Sequence, residues 1–139
     1  MWTQDMAGHL IRRLHQQSVQ VFQARARAVG VDLTPVQFAA LDAIRSEPGS
    51  DQARVAARIA YDRATIGGVI ERLVEKGYVA RTVSRRDRRA RELTLTAAGA
   101  AAFAAFLPEV QALQAEILGG LTEEERAAFL ALARKAIQP

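Results

Sequence analysis

Cysteine is absent from this sequence, which excludes a disulfide framework, a thiolate zinc site and any cysteine-based redox sensor. Histidine occurs only as His9 and His15. Their separation misses the i, i+4 spacing that would set two imidazoles on one helical face, so no metal is expected. No Ser/His/Asp or Cys/His arrangement and no phosphate-cradling glycine loop is present, so neither an enzyme nor a cofactor is indicated. The opening "MWTQDMAGHLIRRLHQQ" has no apolar run of the kind a signal peptide needs, and no stretch approaches membrane-spanning length. A cytoplasmic protein without a membrane partner is therefore expected. Internal repeats and flexible linkers are also missing. Lysine is scarce beside arginine, but the chain is alanine-rich as well, and both biases can follow from genomic base composition.

What is present fits one globular domain. The chain has 139 residues, 50% of them apolar and 24% charged, enough to bury a core. Its net charge is only +4, yet the distribution is uneven. The stretch "RTVSRRDRRAR" from Arg81 to Arg91 holds six arginines and one aspartate, a local charge of +5, so the remainder sums to −1. Field strength depends on where charge sits, and the excess sits on one short segment.

Periodicity and punctuation divide the chain. From about Asp5 to Val29, Leu10, Leu14, Val21 and Phe22 recur at helical spacing, and Gly30 ends the pattern. A second helix follows Thr34, with Pro35 in its first turn, Gln37 completing a capping box, and Phe38, Leu41 and Ile44 on its apolar face. Pro48-Gly49 closes it. Asp51 caps a short third helix, and a turn at Tyr61-Asp62 leads into "RATIGGVIERLVEKG", predicted as a helix from Arg63. Ile66, Val69, Ile70, Leu73 and Val74 form its buried stripe, and Gly77 terminates it. "YVARTVS" and "RELTL" then read as a hairpin around the arginine-rich loop. Thr96 caps a long alanine-rich helix reaching about Leu118, which Pro108 should bend or interrupt. Thr122 and Glu125 form a second capping box at the start of a last helix, whose first turn carries three glutamates.

Two short helices joined by a tight turn and followed by a basic hairpin make a winged helix-turn-helix pattern. A helix fits the major groove of duplex DNA, and a two-stranded wing beside it reaches backbone or minor groove. The outward face of the helix from Arg63 carries Ala64, Thr65, Gly67, Gly68, Glu71, Arg72 and Glu75. Paired glycines cost a helix about 1 kcal/mol each relative to alanine, and their bareness admits a groove wall; the competing reading is close packing inside the domain. Glu71 and Glu75 would repel phosphate, so the groove-entering part is expected to be Arg63 to Gly68. Arg85, Arg86, Arg88 and Arg89 occupy the hairpin tip and Arg91 begins its return. Asp87 among them is expected to accept hydrogen bonds from a neighbouring arginine and orient the tip.

In order and spacing these segments resemble the multiple antibiotic resistance regulator (MarR) type of bacterial transcription factor. "LTPVQFAALDAI" is similar to its second helix, "YDRATIGGVIERLVEKGYVAR" to its recognition helix running into the wing, and "DRRARELTLTAAG" to its wing-return signature. "GGLTEEE" resembles the start of its last helix. The resemblance covers nearly the whole chain and implies a mainly α fold with a small β-hairpin. In it, 34–96 form the winged helix-turn-helix lobe and 5–29 and 100–137 the dimerisation helices of a single 1–139 domain. It further implies that Arg89 is the minor-groove arginine with Arg88 beside it, and that Asp87 supports the wing through an ion pair. Thr65 and its neighbours would start the groove-facing surface. The partners implied are a pseudo-palindromic double-stranded DNA site, a second copy of the chain and a small phenolic or carboxylate effector that releases DNA. Such effectors lodge between the dimer helices and the lobe, where Trp2, His9, Arg12, His15, Phe22 and Asp62 are the candidates by region. A winged-helix module that binds protein instead of DNA is the alternative, and it would carry a neutral or apolar wing.

Overall fold

A computed structural model describes residues 2–89 and 91–137; Met1, Ala90, Gln138 and Pro139, at the ends of the predicted 1–139 domain and just before the wing returns, lie outside it. After a short 3-10 turn at Trp2–Asp5 come helices α1 (Ala7–Ala28), α2 (Pro35–Ser46), α3 (Gln52–Arg58) and α4 (Ile66–Glu75). The hairpin strands β1 (Val79–Val83) and β2 (Arg91–Leu95) follow, then helices α5 (Ala97–Ile117) and α6 (Glu123–Ala136). The chain divides into two compact units, one of Met1–Arg25 with Glu109–Pro139 and one of Ala26–Pro108.

Local chemistry explains most of these limits. Thr34 accepts the Gln37 amide while the Gln37 side chain accepts the Thr34 amide, and Thr122 and Glu125 repeat this reciprocal cap before α6. Asp51 accepts the Arg54 amide at 2.9 Å and starts α3. Gly30 and Gly77 end α1 and α4 in the left-handed region, at φ 73 and 78, where a side chain costs about 1–2 kcal/mol. Ala60 enters the same region at φ 53, so α3 stops at a residue whose identity gives no such warning.

α5 continues through Pro108 to Ile117, as its alanine-rich pattern indicates; proline withholds one N–H from the preceding turn. Two boundaries differ from those expected. The N-terminal helix starts at Ala7, because Trp2–Asp5 winds more tightly. α4 starts at Ile66, not Arg63. Asp62 holds residues 63–65 in a turn, its side chain accepting the Ala64 amide and its carbonyl the amides of Thr65 and Ile66.

In the Ala26–Pro108 unit the predicted apolar stripes meet. Leu41, Ile44, Val55, Ile66, Ile70, Leu73, Val79 and Leu93 are buried. Phe38 stacks on Phe103 and meets Phe106 edge-on, with centroids 4.8 and 5.8 Å away, an arrangement that aromatic quadrupoles favour. The first half of α5 therefore packs within this unit. It can do so because Thr96 donates to the Gly77 carbonyl and Gly99 has no Cβ to collide with the Tyr78 carbonyl. In the other unit Arg25 on α1 pairs with Glu109, at 2.7 Å, and with Glu116 on α5. The Glu109 hydrogen bond is the main reason the Arg25 pKa is raised.

Candidate nucleic-acid interface

The wing is an antiparallel pair in which Val79 faces Leu95 and Val83 faces Arg91. Its base is anchored by a single bridge missed in the sequence: Gly49 donates to the Leu93 carbonyl and Leu93 to that of Ser50, both at 2.9 Å. Sequence reasoning found only two strands because one bridging residue has no periodicity.

Two side chains shape the tip. Ser84 is buried, and its hydroxyl accepts the amides of Arg86 and Asp87 at 3.2 and 3.3 Å. Asp87 accepts the Arg89 amide at 3.0 Å. Among the described residues Asp87 makes no ion pair, so the expected ionic support is replaced by a backbone turn; a short aspartate can cap an amide two residues on without reaching a guanidinium. Arg85, Arg86, Arg88 and Arg89 are all exposed around this turn. Arg91, at the start of β2, donates to the Arg88 carbonyl at 3.2 Å.

The helix beside the wing has an uneven outer face. Arg63, Ala64 and Thr65 are exposed on the entry turn instead of on the helix itself. A Cβ at Gly68 would meet nothing within 4 Å, and one at Gly67 would meet only Gln52 Oε1 at 3.5 Å, an ordinary contact. Packing within the protomer therefore requires neither glycine. Glu71 does not stand free: it pairs with Arg81 of β1 at 2.9 Å, which fixes one of the six arginines to α4 and neutralises a charge that would oppose phosphate. Arg72 lies towards the other end of α4, beside Glu75 and Lys76 at a separate shallow cavity. Glu47 receives Arg54 and Arg58 of α3 at 3.1 and 2.7 Å. These hydrogen bonds, chiefly that from Arg58, hold its carboxyl below the usual range.

The effector candidates are dispersed. Trp2 is 87% exposed; Arg12 and His15 are exposed on α1, His9 is half-buried and Phe22 is buried. Asp62 is exposed and engaged with the Ala64 amide. His15 lines a mainly apolar cavity of about 610 Å³ with Leu14, Phe129, Leu130 and Arg126. Phe129 and Arg126 were not singled out in the sequence, where one aromatic and one cation on α6 look like ordinary face-forming residues. Among the described residues no group of three or more His, Asp or Glu is placed to hold a metal ion. Among the described residues no helix is long and apolar enough to cross a membrane.

A buried-stripe helix entered from a helix-turn and flanked by an arginine-tipped hairpin defines the winged helix-turn-helix class. Residues 31–90 match the family model described as the MarR family. The chain is 36% identical over 133 residues to the HTH-type transcriptional repressor NicR of Pseudomonas putida, covering 96% of this chain and 83% of that one. It is 33% identical over 135 residues to the transcriptional regulator HosA of Escherichia coli, covering 97% of each. The solved structure of BpsR from Bordetella bronchiseptica, whose DNA binding is regulated by 6-hydroxynicotinic acid, aligns with a TM-score of 0.87 at 35% identity, over 95% of this chain and 93% of that one. The chain belongs to the MarR family of transcriptional regulators; it is a DNA-binding winged-helix protein and not an enzyme.

Proposed function

We propose that this protein is a homodimeric, sequence-specific repressor that acts in the cytoplasm and leaves its operator when a small aromatic carboxylate or phenol binds. Residues 34–96 act as the DNA-binding lobe. Segments 5–29 and 100–137 join two protomers, so that 1–139 works as one domain. Arg63, Ala64, Thr65, Gly67 and Gly68 approach the major groove, with Arg72 on the flanking backbone. The wing presents Arg85, Arg86, Arg88, Arg89 and Arg91 to backbone and minor groove. The observation that carries this reading is the four exposed arginines, without an ion pair among the described residues, ordered around the Ser84–Asp87 turn next to a helix start that carries the bare Gly67 and Gly68. The apolar Leu10, Ile11, Leu130 and Leu132, between 45% and 65% exposed, support association with a second copy. BpsR, regulated by 6-hydroxynicotinic acid, supports the effector class. A module that binds protein through its wing is disfavoured by the same arginines.

A duplex from the promoter beside its own gene, titrated at two salt concentrations, tests the assignment. Binding should weaken steeply with salt and protect half-sites about 10 base pairs apart. Replacing Arg88 and Arg89 together by alanine should flatten the salt dependence. An unchanged slope removes the wing from the interface, and failure to bind any duplex at low salt removes DNA as the partner.

A further inference from the structure

Between the start of α3, the turn entering α4 and the return of the wing lies an open cavity of about 380 Å³. Arg63, Arg89 and Arg91 line it, with Asp51, Gln52 and Ile66. The three arginines come from three different places in the chain: the entry turn, the wing tip and the first residue of β2. Four other arginines of this unit are already paired, Arg45 with Asp42, Arg54 and Arg58 with Glu47, and Arg81 with Glu71. Among the described residues, Arg63, Arg89 and Arg91 make no ion pair. The one carboxylate at the rim, Asp51, spends an oxygen on the Arg54 amide as the cap of α3.

Three arginines lining one cavity concentrate positive charge that an anion would neutralise. The guanidinium fork suits an oxyanion because two parallel N–H groups match two oxygens, whether of carboxylate or phosphate. A phosphate group occupies only part of this space. The volume falls within the range of about 300–1,000 Å³ typical of small-molecule sites, and buried Ile66 closes its floor. Gln52 adds an amide for a polar substituent.

We propose that this cavity binds one oxyanion, and that a backbone phosphate of DNA and a small free carboxylate compete for it. The inference rests on the regulator reading above and adds a mechanism of release. An acid held here would occupy the DNA-facing arginines themselves, so it would exclude DNA directly and no change of shape would be needed. Direct exclusion has a signature. The apparent Kd for DNA rises in proportion to acid concentration without limit, whereas coupling between separate sites levels off at a fixed factor.

The test uses the full chain as wild type, Arg63→Gln, Arg91→Gln and the double variant. Without DNA, arginine Nε signals are followed by NMR while inorganic phosphate, 6-hydroxynicotinate or benzoate is added at constant ionic strength. Saturable shifts of the same arginine signals with phosphate and with the carboxylates, lost in the double variant, are expected. Shifts with phosphate alone would overturn the competition, and no saturable shift would overturn the cavity as a site. With the promoter duplex, the double variant should reduce the salt slope by about 0.9, because one phosphate is shared; separate phosphates would give about 1.8 and overturn the proposal. A Kd for DNA that reaches a plateau with 6-hydroxynicotinate also overturns it. Wild type that binds duplex while its arginines ignore every anion sinks only this inference. Wild type that binds the anions but no duplex sinks the regulator reading instead.

Discussion

Gly68 illustrates how a residue can be chosen against the stability of its own helix. Nothing lies within 4 Å of the place its side chain would take, so the glycine relieves no clash in the protomer. Gly68→Ala should therefore stabilise the fold by about 1 kcal/mol, seen as a melting temperature raised by a few degrees. If the bare surface admits a groove wall, the same change should weaken operator binding about tenfold, equivalent to about 1.4 kcal/mol. Gain of both stability and affinity would refute the groove role. The glycine pair was visible in the sequence, but packing and groove approach could not be separated until its surroundings were known. Asp87 was visible too, as the lone acid among arginines; its partner, a main-chain amide, has no sequence signature. Ser84 left even less trace, since one serine before a basic run is unremarkable until it is seen buried with two amides on its hydroxyl.

Elements were more legible than residues where capping chemistry is local. Both capping boxes and the Asp51 cap involve partners three positions apart, so sequence spacing alone reports them. The start of α4 was misplaced for the converse reason. Arg63, Ala64 and Thr65 are compatible with helix, and the Asp62 turn that excludes them depends on a side chain choosing its near amide over solvent. Contacts between elements, such as Glu71 with Arg81 and Glu47 with α3, span separations with no period. The latter carries a pH dependence. With its pKa depressed by Arg58 and Arg54, Glu47 favours the folded state most when ionised. Its contribution is complete above the ordinary carboxylate range and disappears as pH falls through the lowered value. The melting temperature of wild type should exceed that of Glu47→Gln at neutral pH, with the gap closing on acidification. A gap of constant size at all pH values would mean that the ion pairs contribute nothing, which is the common fate of exposed pairs.

At the scale of the molecule, a modest total charge conceals its concentration on the wing, and apolar surface is likewise unevenly spread. Leu132, 65% exposed on α6, belongs to the proposed dimer surface. Leu132→Glu should shift sedimentation to the monomer and reduce operator affinity about 100-fold or more, as loss of a linked second half-site requires. A dimer that persists at full affinity would place association elsewhere. The division into units could not be read from the sequence, because α1 and α5 each continue as one helix across a boundary, the latter with Pro108 inside it. Such a protein can change over evolutionary time at some places more readily than at others. The wing is tied at its root: Thr96 reaches the Gly77 carbonyl at 2.6 Å and the Tyr78 carbonyl at 3.0 Å. Everything between these residues is a closed loop, and doubling the length of a flexible loop costs only about 0.6 kcal/mol. Insertions and deletions beyond the Val83–Arg91 pair can accumulate without disturbing α4 or α5, so the tip can lengthen or shorten while Val79 and Leu93 stay in the core.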